Sequence, residues 1–367
     1  VQTCALPILN KINKYLFLLT NRYLFINFII ISIFILFINL LELSRIITED
    51  NKNIFNFLYL SFLKYPSILS EIIPFVTIIS VSFLIRNLIN NNELVSMRNL
   101  GFSFFDIFLP ISIAIFTMGL FFLIIINPLS VFMETKYDTK LNKKEDSLYS
   151  IKISENEMWI KNEIDKETSS FINIKNINLN DMSVENIKIL ILNKDSNMFI
   201  TAAIGEFREG IISLYKVKYY DLKNEEYKSL DNFNLIINFN KDNIINSISR
   251  YKLIPFYKYF SHSKTLSKFN LYSPEIGLYY ISEILKPIFI VVLGFVMVGF
   301  TSKFQRNENF FKVLFIAISI GFIFFLMKEI VTKLTISLSI NFFISYLVIF
   351  LVPFFVGLYQ IVKIEND

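Results

Sequence analysis

Several uninterrupted apolar runs, each reaching about the 20 residues that carry a helix across a ~30 Å hydrocarbon core, constrain this chain more than any other feature. They are clumped into two blocks with a long polar stretch between them. Of 367 residues, 54% are hydrophobic and only 18% are charged, where soluble domains carry about 25% charge. A chain of this kind is a membrane protein with an inserted water-exposed domain.

The spacing predicts six spans. The first runs from about Phe25 to Ile47, with Lys11, Lys14 and Arg22 before it and Glu49 and Asp50 after it, so the positive-inside tendency places the N-terminus in the cytoplasm. The stretch Val1 to Ile8 fits poorly with the rest of the chain and reads as an assembly scar; no small-residue cleavage site succeeds the first apolar run. Pro66 and Pro74 divide the next apolar stretch. Proline removes a backbone donor and disfavours helix in the residue before it, so a short outer helix is expected, then a second span from about Ser67 to Leu88. The third runs from about Phe104 to Ile126 and ends at Asn127-Pro128. After the polar stretch come spans from about Ile276 to Thr301, interrupted by Lys286-Pro287, from Phe310 to Ile330, and from Phe342 to Val362. By parity both termini are cytoplasmic.

Between about Ser130 and Asn270 the period changes to two. Tyr215, Val217 and Tyr219 alternate with Lys216 and Lys218, and Met158 to Ile160, Ile172 to Ile177, Ile187 to Ile189 and Phe233 to Phe239 read as further strands. The expected fold is a mixed membrane protein: six transmembrane helices arranged three plus three, with an inserted periplasmic β-jelly-roll-like domain. The expected boundaries are residues 9–129, 130–270 and 271–367. Trp159, the only tryptophan, is expected in the core.

Several chemistries are absent from the pattern. One cysteine, Cys4, permits no internal disulfide or thiolate metal cluster. His262, the only histidine, sits among serines and reads as solvated. There is no GxxxxGK[ST] loop, so the chain is not expected to bind ATP in the P-loop manner, and any ATP-driven work must come from a separate subunit. A net charge of +5 without a basic stripe gives no footprint for nucleic acid.

Two features invite a functional reading. The polar interval about 91–101 holds Glu93, Leu94, Val95, Ser96, Met97 and Arg98 after a possible cap at Asn92, with Gly101 placed to end the helix. It is either a short amphipathic helix that docks on a soluble partner or an ordinary helical linker. Charged residues also gather near the expected outer surface: Glu42, Arg45, Lys52, Lys64, Glu71, Glu283, Lys286, Lys328, Glu329 and Lys333. Glu42 and Arg45, three apart, form an interfacial ion pair, or Arg45 meets an anionic headgroup.

These residues resemble the LptF/LptG permeases over about Asn10 to Val362. Asn92 to Ser103 is similar to the family's S-E-L-V-x-M-R-x-x-G-x-S; Lys64-Tyr65-Pro66-Ser67, Ile73-Pro74-Phe75, Asn127-Pro128-Leu129, Lys286-Pro287 and Gly321 also fit. The Glu-Leu-Val-x-Met-Arg form and Phe37 to Arg45 look more like the LptG branch. Ser339 to Phe342 departs from the family's Gly-x-Pro-Pro, and Asn39 stands where a family lysine falls. The resemblance implies an inner-membrane permease subunit that extracts lipopolysaccharide from the outer leaflet and passes it to a periplasmic β bridge. It implies a paralogous permease as heterodimer partner, a cytoplasmic ATPase dimer holding ATP and Mg, and a single-span protein with its own β jelly roll. No cofactor and no catalytic residue are expected in this chain. Glu93, Leu94, Met97, Arg98 and Gly101 would couple to the ATPase, and Asn39, Glu42, Arg45 and Lys328 would meet the lipid. The other readings are an LptF-type subunit, a non-transporting scaffold or receptor, and a lipid-acting intramembrane enzyme.

Overall fold

The computed structural model describes the chain except residues 1, 47–53, 142–148, 155–156, 166–167, 179–181, 194–196, 209, 224–225, 238–249, 269–271, 304–307, 339 and 367. It divides into a membrane unit, Val1–Met133 with Tyr280–Asp367, and a second unit, Glu134–Tyr279.

Among the described residues, six helices are long and apolar enough to cross a membrane. They are α1 (Gln2–Ile46), α2 (Ile54–Asn90), the run that starts with α4 (Phe104–Phe121), and three more in the C-terminal part of the chain. A short α3 (Glu93–Asn99) links α2 to α4. Two expectations about proline are corrected. Pro66 and Pro74 lie inside one continuous α2 rather than dividing it. Asn127-Pro128 does not end the third span: α4 passes through a π-helical segment, Phe122–Ile126, into α5 (Asn127–Leu141). The π turn supplies the extra residue that relieves the proline against the preceding turn. In lipid a helix that stops leaves backbone groups without water, so continuing through proline is the cheaper arrangement.

The interior of this unit forms around α2 and α7 (Pro274–Thr301); α8 (Phe310–Ser337) and α9 (Phe342–Asn366) leave most of their surface exposed. Close packing requires glycine at one crossing. A Cβ on Gly119 would stand 2.7 Å from Pro287 Cα, so any larger residue would separate α4 from α7. Polar side chains bridge α1 and α2: Ser32 meets Tyr65, and Ser80 Oγ donates to Tyr23 O at 3.3 Å.

Among its described residues the second unit contains seven antiparallel strands: β1 (Tyr149–Ser154), β2 (Glu157–Asp165), β3 (Thr168–Asn178), β4 (Ser183–Leu192), β5 (Asn197–Arg208), β6 (Ile211–Asp221) and β7 (Glu226–Ile236). Every hydrogen-bonded neighbour is a sequence neighbour, so the described strands form a meander without the crossovers of a Greek key. Ile160, Ile172, Ile189 and Ile200 stand in register across four strands and are at most 1% exposed. The sheet curls: Asn162 Nδ2 on β2 donates to Ile236 O on β7 at 3.2 Å. Trp159 is not core. It is 45% exposed, because Met158 and Ile160 take the buried face and alternation sends Trp159 to the other.

After the sheet, a 3-10 turn (Phe256–Lys258) leads into α6 (Tyr259–Lys268). His262 lies here half-buried rather than solvated, and burial lowers its pKa below the usual 6.5. Above about pH 6.5 the imidazole is neutral whether folded or unfolded, and costs nothing. Below it the unfolded chain takes up a proton that the folded site resists, so stability falls with pH. Protection factors of the α6 amides, taken against the intrinsic exchange rate at each pH, should therefore fall as pH drops from 7.5 to 5.5, and His262→Gln should flatten that dependence. An unchanged pH profile in the variant would show that other groups control it.

Candidate functional site

The segment between α2 and α4 is built by two residues with positive φ. After α2 ends at Asn90, Asn92 adopts φ 58, a left-handed conformation that asparagine tolerates. Its side chain does not cap α3, contrary to the expectation. Its carbonyl instead accepts from Ser96 N at 3.0 Å and Ser96 Oγ at 2.8 Å. Gly101, at φ 92, reverses the chain as expected, and Gly101 N and Phe102 N close the helix on Arg98 O and Met97 O at 2.9 and 3.1 Å. Ser103 and Asp106 then form a reciprocal capping box that starts α4.

The predicted coupling residues fall on different faces of α3. Leu94 and Met97 are 5% and 6% exposed and join the apolar cluster that contains Leu16, Leu88, Phe104 and Ile107. Glu93 is half-buried; its Oε2 accepts from Tyr15 Oη at 2.7 Å, and its Oε1 accepts from Asn91 Nδ2 at 3.3 Å. Arg98 is exposed and stacks over the Phe104 ring, 4.6 Å from its centre. The residues that project away from the unit are Val95 and Leu100, 55% and 68% exposed. Sequence reasoning does not single them out. The apolar pair Leu94 and Met97, three apart, is the available signal: it defines an inner stripe and leaves Val95 outside. Tyr15, 78 positions from Glu93 in sequence, carries no such signal.

Of the predicted lipid residues, Asn39 and Glu42 both join α1 to α2, and Lys328 lies on α8. Asn39 is 1% exposed and ties α1 to α2, with Nδ2 donating to Ser61 O at 2.9 Å and Ser61 Oγ at 3.1 Å. Glu42 pairs with Lys64 of α2 at 3.6 Å. The Arg45 backbone lies in α1, but its side chain, and with it the expected pair with Glu42, lies outside the described residues. Lys328 on α8 stands over Phe289 of α7, 5.6 Å from the ring centre. Beside Asn39, a groove of about 360 Å³ between α1 and α2 is lined by Leu36, Leu40, Leu58, Tyr59, Ser61 and Phe62.

Two of the charges read as part of an outer rim also form a close structural pair. Lys286 Nζ lies 2.5 Å from Glu283 Oε1, both side chains 12% exposed. It also donates to Ser70 O and Ser70 Oγ, each at 3.3 Å. Ser70 is four residues before Pro74, so its carbonyl is the one the proline leaves without an N–H partner. Among the described residues no group of three His, Cys, Asp or Glu could hold a metal.

The family model for the lipopolysaccharide export system permease LptF/LptG matches residues 14–363. No curated protein matches the chain.

Proposed function

Because the chain belongs to the LptF/LptG family of lipopolysaccharide export permeases, we propose that it is one of two paralogous permeases in an ATP-driven exporter, on the LptG side of the pair. The proposed partners are the second permease, a cytoplasmic ATPase dimer and a single-span periplasmic β-jelly-roll protein. ATP and Mg belong to the ATPase; this chain supplies the membrane path and the surface that receives the stroke. Lipopolysaccharide enters from the outer leaflet of the inner membrane and leaves towards the β unit. On this reading both termini and α3 are cytoplasmic, in keeping with Lys11, Lys14 and Arg22 on the first part of α1, and the sheet is periplasmic.

The observation that carries the reading is the division of α3. Its inner face is fixed into the membrane unit by Leu94, Met97 and the Tyr15–Glu93 bond, and its rim presents Val95, Leu100 and Arg98. A helix so anchored transmits a push to α1 and α4 as one body, while two exposed apolar side chains beside an arginine offer a knob for a groove on a partner. Glu93 therefore acts as a brace for the coupling helix, and Val95 and Leu100 make the contact. The double variant Val95→Glu, Leu100→Glu, purified from gently solubilised membranes, should retain the paralogous permease and lose ATPase recovery by about tenfold or more. Equal ATPase recovery would overturn the assignment of this face.

A further inference from the structure

We propose that the segment from Phe256 to Lys268 is an interfacial anchor, laying Tyr257, Phe260 and Lys264 on an anionic lipid surface where α7 enters the membrane. The inference does not rest on the export reading; it needs only that α7 spans a bilayer.

The segment has two chemically distinct faces. Tyr259, Thr265 and Leu266 are buried, at 2%, 5% and 0% exposure. Tyr257 and Phe260 are 63% and 84% exposed, and Lys258 and Lys264 are exposed beside them. Phe260 follows Tyr257 by three residues and Lys264 follows Phe260 by four, so all three share one side of the helix. A single exposed phenylalanine is ordinary on a protein surface. Two exposed aromatics with a lysine on one helix side are the composition that settles at a membrane interface.

The packing says what this face meets. Tyr251, just before the segment, donates from Oη to Glu275 Oε1 at 3.0 Å, and burial together with that carboxylate pushes its phenol up to about 12. The Tyr251 and Tyr259 rings lie 5.2 and 6.3 Å from the Tyr279 ring. Glu275 and Tyr279 belong to the first turns of α7, which starts at Pro274 and is a candidate span. The start of α6, at Tyr259, thus packs on the first turns of a membrane helix, and α6 ends at Lys268, six positions before that helix begins. Contact at Tyr259 and the short chain separation keep the start of α6 close to the start of α7. There, Tyr257 and Phe260 can sink among headgroups and Lys264 can meet lipid phosphates.

The test uses the full chain in nanodiscs of phosphatidylethanolamine and phosphatidylglycerol. Cys4, the only cysteine, is replaced by serine, and a spin label is placed at Phe260→Cys or, as the reference, at Leu222→Cys. Leu222 is 56% exposed on the turn after β6. Collision with oxygen should exceed collision with a water-soluble nickel chelate at position 260, and the order should reverse at 222. Adding Lys264→Glu should move the 260 label towards water, more so as phosphatidylglycerol increases. A 260 label as nickel-accessible as the 222 label would overturn the proposal in favour of a solvated face. Low collision with both reagents would overturn it in favour of a protein partner. Position 260 carries no buried contact, so correct folding of the labelled chain is expected and is checked by its elution.

Discussion

Lys286→Met should destabilise the membrane unit by about 3–5 kcal/mol, the cost of leaving one member of a buried ion pair without the other. The expectation rests on three contacts made by one ammonium: Glu283 at 2.5 Å, and Ser70 O and Ser70 Oγ at 3.3 Å. Methionine preserves the apolar stem and removes all three. Glu283 is then a carboxylate 12% exposed inside a membrane helix, and the Ser70 carbonyl freed by Pro74 has lost its donor. The double variant Lys286→Met, Glu283→Gln removes the orphaned charge and should recover most of the loss, since a matched neutral pair costs little more than the ion pair it replaces. Unfolding midpoints in mild detergent would measure both. If single and double variants lose the same stability, the defect lies in the Ser70 carbonyl and the helix junction rather than in charge.

Much of the fold is legible in the sequence, and the misses have physical causes. Run length is enough for six spans because a bilayer demands about 20 apolar residues per helix and nothing in a soluble core imitates that repeatedly. Alternation is enough for the strands around Ile172, Ile187 and Val217. The prolines mislead, because the rule that proline ends a helix holds where water can take the freed groups. In α2 the freed carbonyl before Pro74 finds Lys286, 216 residues away in sequence, and no local pattern announces such a partner. Residue type alone misplaces Trp159; the neighbours Met158 and Ile160 place it correctly, since neither can share its face.

The site is legible as a segment and not as a surface. Glu93 to Gly101 stands out by composition and by the turn residues on either side. Which side of α3 faces inward is decided by Tyr15 and Leu16 on α1 and Phe104 on α4, and long-range packing of that kind leaves no mark inside a seven-residue helix. The same limit applies to the expected lipid residues. An i, i+3 relation points only along α1, from Glu42 to Arg45, and gives no sign of Lys64 on α2, which stands 3.6 Å from Glu42. Asn39, placed by the resemblance at a lipid contact, spends its amide on Ser61.

The second large effect separates folding from docking on α3. Leu94→Ala and Met97→Ala each delete a side chain that is at most 6% exposed and should cost about 2–5 kcal/mol through lost burial and the cavity left behind. Val95→Ala, at 55% exposure, should change stability by no more than about 0.5 kcal/mol. Detergent unfolding of the three variants would give the order directly. The consequence for the proposed exporter is that loss of transport in a Leu94 or Met97 variant reports detachment of α3 from α1 and α4. ATPase recovery in those variants should fall only as the folded fraction falls, whereas changes at Val95 and Leu100 should lower it in a fully folded protein. Were Leu94→Ala to keep full stability while losing the ATPase, the inner and outer faces of α3 would have to be exchanged.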